Sequence, residues 1–238
     1  TTIGLGEHLK NPSITNIKNY FNKYYVPNNV AICLSGDLNP DETVAAIEKY
    51  FGNWKPSAHI DVPQFPAQPA LTAPVDTTVI GKEAPTFFMG WRAEAGNSLQ
   101  MDTLEIVAQL LSNGQAGLFD LDLNQKLKVQ DVGAGVSDMN DYSVFYIYGQ
   151  PKNGQTLQEA RALALSEIEK LKKGEFSDDL LPSIINNYKR YYYTELDKNQ
   201  FRAKQYVDAF INHKDWKQEV DKLNRISKLT KAEIVKFA

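Results

Sequence analysis

The chain has 238 residues, of which 42% are hydrophobic and 23% charged, and its formal net charge is −3. This composition is typical of a folded globular protein and excludes a largely disordered chain. The small acidic charge argues against nucleic-acid binding, the single cysteine excludes an internal disulfide, and no apolar run approaches the ~18 residues that a membrane span requires.

The first part of the chain carries a helix–strand–helix pattern. A helix is predicted over residues 12–25, because Ser13 is a typical N-cap and apolar residues recur every three or four positions. The apolar run over residues 30–34 predicts a short buried strand. A second helix is predicted after Asn39, which is followed by a proline at the first helical position and by Glu42 three residues after the cap.

A proline-rich segment follows, with Pro56, Pro63, Pro66, Pro69 and Pro74. Proline lacks the amide proton that helices and sheets use, so residues 55–74 are predicted to form an extended linker between two domains. We expect residues 1–54 to be the end of one domain and residues 75–238 to belong to the next.

Within the second region, strands cluster first and helices dominate the remainder. Strands are predicted over 75–82, 85–92, 131–138 and 142–150. Helices are predicted over 98–112, 156–173, 178–198, 200–212 and 215–227, with a shorter one across 117–127 and a last one capped by Thr230. This segregation favours an α+β fold, a mostly antiparallel sheet with helices packed on one face. The residues predicted to share its core are Phe88, Leu104, Val107, Leu111, Val144 and Tyr146.

The residue patterns contain no catalytic, cofactor-binding or metal-binding constellation. The three histidines, His8, His59 and His213, are too far apart in sequence for the H-x-x-E-H or H-E-x-x-H pattern of zinc peptidases. His8 ends a segment that imitates the first pattern with Gly4 in the place of the first histidine, but its two glycines make a poor helix. We therefore assign no catalytic, cofactor or metal residue.

Two other features have competing interpretations. Cys33 could be a nucleophile, but a cysteine inside an apolar strand is more often a small buried hydrophobe. The segments Gly114–Gly117 and Gly133–Gly135 could cradle phosphate, yet neither matches a phosphate-loop pattern. The first more often separates two helices, and the second more often lets a strand bend or pack closely.

A series of motifs runs along the chain: the turn Tyr25-Val26-Pro27-Asn28-Asn29, the strand that ends in Gly36-Asp37, the segment Lys49-Tyr50-Phe51-Gly52, the helix break from Asn113 to Phe119, Asn124-Gln125-Lys126-Leu127-Lys128, and the helix lead-in Leu229–Ile234. In this order and spacing, the motifs resemble the M16 peptidase family, also called the insulinase, pitrilysin or processing-peptidase family. The resemblance covers nearly the whole chain.

The resemblance implies a part of a zinc metallopeptidase built from repeated α+β domains that enclose a peptide. In that family, H-x-x-E-H and a later glutamate of the first domain hold zinc, and the motif glutamate acts as base. No position of this chain matches those residues. The chain therefore resembles the end of the first domain plus most of the second, non-catalytic domain. Zinc is implied for the full-length parent, and no cofactor is implied for this chain.

Two functions follow from the resemblance. The first is the non-catalytic wall of the peptide-enclosing chamber of a zinc-dependent M16 endopeptidase. The alternative is a degenerate, non-peptidase M16-like scaffold or peptide-binding protein. The expected partners are a peptide or unfolded polypeptide, the remaining M16 domains and, as a further candidate, a second copy of this chain in a homodimer. The resemblance favours the bacterial periplasm or cell envelope, and neither nucleic acid nor a membrane span is expected.

The chain opens on Thr1 and carries no signal peptide, so we expect a piece of a longer protein that is cut at both ends. A cut near the end would leave a sheet edge exposed. One hypothesis is that residues 29–35 pair there with the sheet formed by residues 75–150, within one molecule or by exchange between two. In the rival arrangement, residues 1–54 keep the position that they have in the parent.

Overall fold

The computed structural model describes residues 5–62 and 64–238, and the chain divides into two compact units, Thr1–Thr78 and Val79–Ala238, here called unit 1 and unit 2. The described part of unit 1 contains α1 (Gly6–Lys10), α2 (Ile14–Tyr24), α3 (Pro40–Phe51) and a 3₁₀ turn over Pro27–Asn29. The two helices predicted for this region are confirmed.

Both predicted caps in unit 1 form. The Ser13 hydroxyl accepts a hydrogen bond from the Asn16 amide at 3.3 Å. The Asn39 side chain accepts bonds from the amides of Asp41 and Glu42 at 3.0 and 3.3 Å. These bonds satisfy amides that the first turn of a helix leaves without intrahelical partners. The start of each helix therefore follows from one polar side chain.

The predicted strand over residues 30–34 is wrong. The segment begins extended, but it belongs to no β-ladder among the residues that the structure describes. Val30, Ile32 and Leu34 are 37%, 45% and 51% exposed, and Cys33 is half-buried rather than part of a core. A strand needs partners for its amides, and the described part of unit 1 supplies no second strand.

The described segment between α3 and the first strand has neither helix nor strand, as predicted for the proline-rich linker over residues 55–74. The predicted strand over residues 75–82 is wrong, because Val75, Val79 and Ile80 are 83%, 87% and 95% exposed and pair with no strand in the described chain. The start of the linker is anchored locally: the Asn28 side chain exchanges two hydrogen bonds with the backbone of Ser57, at 2.9 and 3.0 Å.

Unit 2 contains an antiparallel sheet. Its strands, counted over the described residues, are β1 (Phe87–Ala93), β2 (Asp131–Ser137) and β3 (Ser143–Gln150), in the order β1-β3-β2. The central strand β3 pairs Gly149 with Phe87 on one side and with Val132 on the other. All three strands lie within two residues of their predicted bounds. The hypothesis that residues 29–35 join this sheet within one molecule is wrong, and exchange between two molecules stays a prediction.

The helices of unit 2 are α4 (Gln100–Leu111), α5 (Leu157–Lys173), α6 (Leu180–Leu196), α7 (Asn199–Ile211), α8 (Trp216–Ser227) and α9 (Lys231–Phe237). The helix predicted across residues 117–127 is instead a π-helical turn over Asp120–Asn124. Both α4 and α5 lie against the sheet, and the core between them includes Ile106, Leu110 and Ile147, each 0% exposed. The predicted α+β fold, an antiparallel sheet with helices on one face, is confirmed.

Candidate functional site: an aromatic sheet face

The sheet face that points away from the helices carries a row of aromatic rings. Side chains alternate along β3, so that Ile147 enters the core while Tyr146 and Tyr148 point the other way. Phe88 of β1 pairs with Tyr148 and projects on the same side. Phe88 is 67% exposed and Tyr148 is 39% exposed. We call Phe88, Tyr146 and Tyr148 the aromatic face.

The three rings are close enough to interact. The centroids of Phe88 and Tyr146 lie 5.3 Å apart, with 19° between the ring planes, and those of Tyr146 and Tyr148 lie 6.5 Å apart. Aromatic pairs at such separations attract one another, so each ring restrains its neighbour. The arrangement is a nearly continuous apolar surface that remains accessible to solvent.

Two glycines of β2 make room for the rings. Gly133 pairs with Tyr148 and Gly135 pairs with Tyr146. A Cβ atom at either glycine would lie 2.6 Å from the Oη atom of the paired tyrosine, which is far inside van der Waals contact. The tyrosine rings therefore lie across β2 because β2 has no side chain at these positions. This confirms the prediction that Gly133–Gly135 serves close packing.

Opposite charges flank the aromatic face. Asp131 is at the start of β2, on the side of Gly133, and pairs with Gln150. Arg92 is near the end of β1, on the side of Phe88, and its guanidinium lies 4.8 Å from the ring centroid of Tyr142. Burial raises the pKa of the Tyr148 hydroxyl, and the negative charge of Asp131 raises it further. The hydroxyl therefore stays protonated and able to donate a hydrogen bond at neutral pH.

Three residues predicted to belong to the core lie on this face instead. Phe88, Val144 and Tyr146 are on the side of the sheet opposite Ile147, whereas Leu104, Val107 and Leu111 are buried as predicted. The error came from taking every apolar residue of a strand as a core residue. The alternation of two glycines with Ala134 in β2 was the signal that could have identified the aromatic face from sequence.

A second feature of unit 2 is an apolar groove on the helix side of the sheet, with a volume of about 1240 Å³. Trp91 and Phe145 of the sheet, Leu104 of α4, Ile168 of α5 and Phe237 of α9 contribute to its lining. The groove borders the outer edge of β1, which has no partner strand among the described residues. Its lining offers shape and apolar surface but no nucleophile–base pair.

The helix-break motif of the sequence has a structural role next to the aromatic face. The Asp120 carboxylate accepts hydrogen bonds from the amides of Asn113 and Gly117, at 2.8 and 3.0 Å, and so closes the loop before the π-helical turn. Within that turn, the side-chain amide of Asn124 donates to the carbonyl of Val132 at 2.9 Å and accepts from its amide at 3.0 Å. The motif thereby fixes the position of β2 beneath the tyrosine rings.

An ion cluster joins the π-helical turn to α5. Lys170 lies 2.7 Å from Asp122 and 2.9 Å from Glu167, and Lys126 lies 2.7 Å from Asp122. Hydrogen bonds from Lys126 and Lys170 hold the pKa of Asp122 well below its usual range. Burial raises the pKa of Glu167, which is 2% exposed, although Lys170 opposes that shift. The cluster stabilises one local packing arrangement.

The three histidines lie in different segments of the chain. Among residues 5–62 and 64–238, no three or more His, Cys, Asp or Glu side chains gather as metal ligands. His59 pairs with Asp61 at 2.7 Å and its side chain is 80% exposed. His8 lies in the short helix α1, and His213 lies in the turn between α7 and α8 with φ of 51°. The donor set that zinc requires is therefore not present in the described residues.

Comparison with known proteins identifies the family. The model of the peptidase M16 inactive domain matches residues 13–188, which is well over half of the chain. The chain belongs to the M16 peptidase family. The resemblance to this family is thereby confirmed, and the family model that matches is that of the inactive domain.

The chain is also similar to individual proteins. The chain is 23% identical over 223 residues to the zinc protease PqqE of Helicobacter pylori. The matched region covers 90% of this chain and 49% of that protein. A protease from H. pylori of known structure superposes with a TM-score of 0.88 at 20% identity, over 99% of this chain and 57% of that one. The M16 chain thus spans about half the length of the relatives it matches.

More distant structures share the fold. The peptidase M16 inactive domain from Pseudomonas fluorescens matches 98% of this chain, and 56% of its own, with a TM-score of 0.77 at 14% identity. The first half of the periplasmic protease PqqL from Escherichia coli matches 98% of this chain, and 53% of its own, with a TM-score of 0.66 at 12% identity. In the described part of the M16 chain, no helix combines the length and the apolar character needed to cross a membrane.

Proposed function

We propose that this M16 chain forms a non-catalytic wall of the peptide-enclosing chamber of a zinc-dependent endopeptidase. The observation that carries the proposal is the aromatic face, an apolar surface on the side of the sheet opposite the helices, in a domain of the inactive M16 type. A chamber wall must contact unfolded polypeptide without cleaving it. Stacked, partly exposed rings suit that task.

The proposed domain assignment divides the chain into three parts. Residues 1–54 are the end of the first, zinc-binding M16 domain of the parent, residues 55–74 are the linker, and residues 75–238 belong to the second domain. The exposed apolar side chains of α2 support the first assignment, because a helix with such a face packs on a sheet in a complete domain. Zinc belongs to the parent and would polarise the scissile carbonyl and activate water there.

The proposed partners are the remaining M16 domains of the parent and a peptide or unfolded polypeptide substrate. A homodimer of the chain is a further proposed state, which light scattering coupled to size exclusion would detect. The periplasm or cell envelope of a bacterium is the proposed compartment, and the similarity to the periplasmic protease PqqL supports it.

The test compares the full-length parent with this chain, using a fluorescently labelled unfolded protein as substrate. The parent should cleave it, lose the activity with 1,10-phenanthroline and regain it with zinc. The chain alone should neither cleave the substrate nor retain stoichiometric zinc after dialysis, because its histidines form no tetrahedral donor set. Cleavage by the chain alone would overturn the non-catalytic assignment. A parent that binds the unfolded protein but never cleaves it would establish the scaffold function instead.

A further inference from the structure

The aromatic face has a chemistry that restricts what it can bind. Between Asp131 at one end and Arg92 at the other, the face is largely aromatic: Tyr146 and Tyr148 lie over the glycines of β2, and Phe88 of β1 stacks on Tyr146. A ligand that covers the rings must itself be apolar in the middle, since a buried charge without a partner is unfavourable there. Aromatic side chains gain further attraction by stacking on exposed rings.

The two flanking charges give the aromatic face a direction and a defined length. Arg92 is at the level of Val144 and Ser137 in the register of the sheet, and Asp131 is at the level of Gln150. The two levels are separated by the length of β2, from Asp131 to Ser137, which corresponds to about 20 Å at ~3.3 Å per residue. An extended peptide of about seven residues spans the same distance.

We propose that the aromatic face binds an extended polypeptide segment of about seven residues, with aromatic or large apolar side chains in its middle, a basic side chain next to Asp131 and an acidic side chain next to Arg92. The inference rests on the proposed function in that it names the kind of substrate segment that this wall holds. Its geometry, however, belongs to this chain alone and can be measured without catalysis.

The flanking charges alone do not choose between a peptide and a second copy of the chain, because a copy that stacked its own aromatic face on this one by two-fold symmetry could pair Asp131 with the partner's Arg92. The proposed chamber-wall function favours the peptide, since a face covered by a copy would be blocked to polypeptide. The two occupants make opposite predictions. Removal of Phe88 leaves the oligomeric state of the chain unchanged if the ligand is a peptide, whereas it weakens self-association if the ligand is a second copy.

The experiment uses the full 238-residue chain and a fluorescein-labelled peptide, acetyl-Lys-Ala-Phe-Ala-Phe-Ala-Glu-amide, whose charged and aromatic side chains all lie on one face when it is extended, followed by fluorescence anisotropy. A peptide with serine in place of both phenylalanines should bind at least about tenfold more weakly, since stacking on the rings is lost. Peptides with two lysines or with two glutamates at the ends should each bind several-fold more weakly, and 0.5 M salt should remove that difference. Equal binding of all four peptides would overturn the proposal.

The variant Phe88→Ala should weaken binding of the first peptide about tenfold, and Phe88→Trp should restore it. Phe88 is 67% exposed, so its removal leaves no core cavity. Tyr191 of α6, which is 59% exposed, provides the matched control, and Tyr191→Ala should bind as the wild type does. Binding that falls in the control but not in Phe88→Ala would overturn the proposal, as would a wild-type dimer that Phe88→Ala converts to monomer.

A spin label at the lysine end of the peptide tests the direction in which the peptide lies on the aromatic face. It should broaden the amide signals around Asp131 more than those around Arg92, and the reverse result would contradict the proposed polarity. The outcome is separable from that of the cleavage assay. If the parent shows no zinc-dependent cleavage while the peptide series behaves as expected, the peptidase proposal fails and the binding face stands. If the parent shows zinc-dependent cleavage but the four peptides bind equally well, only the proposal of a binding face is contradicted.

Discussion

Helices α2 and α4 carry similar sequence signals in two different surroundings. On α2, Ile14, Ile17 and Phe21 lie on one face and are 62%, 53% and 49% exposed. On α4, Leu104 and Leu111 lie on one face and are 8% and 1% exposed. Both helices form, because the periodicity of apolar residues acts locally; α2 also has a side-chain cap at Ser13, whereas α4 has none. Of these two helices, only α4 is packed on a sheet in the described chain. Periodicity thus identifies the face that can be buried and leaves open whether a partner is present.

The largest expected difference between the two surroundings is in core truncation. Leu111→Ala should lower the free energy of unfolding of unit 2 by about 2–5 kcal/mol, because it removes a buried side chain and leaves a cavity. Ile17→Ala, the matched change on α2, should cost less than about 0.5 kcal/mol. Urea unfolding in a Trp54→Phe background, followed by the fluorescence of Trp91 and Trp216, measures unit 2, and the fluorescence of Trp54 in a Trp91→Phe, Trp216→Phe background measures unit 1. A cost below ~0.5 kcal/mol for Leu111→Ala would mean that the residue is not in the core.

A smaller loss of stability is expected for a substitution under the aromatic face. Gly133→Val should cost about 1–3 kcal/mol, because its side chain would displace the Tyr148 ring from β2. Gly81→Ala is the control, since a Cβ atom there meets nothing within 4 Å, and it should stay within about 0.5 kcal/mol of the wild type. Thermal unfolding by circular dichroism reports both. Equal melting temperatures for the two variants would show that the packing of the Tyr148 ring on β2 does not require Gly133.

Removal of a helix cap should destabilise all of unit 2 when the helix is packed in its core, as α5 is, but only the helix itself when it is exposed, as α2 is. Thr156 and Glu159 form a reciprocal capping box at the start of α5, with bonds of 2.8 and 3.2 Å. Thr156→Ala should therefore lower the stability of unit 2 as a whole by about 1 kcal/mol. Ser13→Ala should instead increase amide exchange within α2 alone, since few buried contacts couple that helix to others. Exchange that rises throughout unit 1 after Ser13→Ala would contradict this view.

The smallest expected loss of stability comes from removing a carboxylate from an ion pair, and this loss depends on pH. The pKa of Asp122 is lowered, so its contribution to stability is present above the ordinary aspartate pKa of about 4 and is lost as the pH falls below that value. Asp122→Asn should cost up to about 1 kcal/mol at pH 7 and progressively less as the pH falls below about 4. Asp61 of unit 1 also has a lowered pKa, through Lys23, but this pair is fully solvated. Asp61→Asn should have an effect that 0.5 M salt removes. A cost of Asp122→Asn that does not change with pH would exclude the ion cluster as its source.

Much of unit 2 could be predicted because its signals are local. The caps at Thr156 and Thr230 and the alternation in β3 place their elements within two residues. What failed depends on partners distant in sequence. Residues 30–34 have the composition of a strand but no ladder, and Phe88 and Tyr146 have the composition of a core but lie on the face opposite the helices. A single sequence records which side chains share a face, and tertiary packing decides which face is covered.

The π-helical turn could not be predicted for a different reason. Its form depends on the Asp120 carboxylate, which binds the amide of Gly117, and on the Asn124 side chain, which binds Val132, and such single side-chain bonds have no periodic signature in the sequence. The absence of a catalytic assignment from sequence remains consistent with the family match, which is to the inactive domain. The aromatic face was missed because a binding surface made of apolar side chains has the same composition as a core.

The Asn124 side chain has a consequence for the growth of the sheet. By giving and receiving one hydrogen bond at Val132, its amide imitates a single residue of a neighbouring strand. An edge occupied in this way is a poor template for other chains, because an incoming strand would have to break both bonds before it could pair there. The β2 edge is therefore closed at Val132, and a strand added on that side could pair only with the residues of β2 beyond this point.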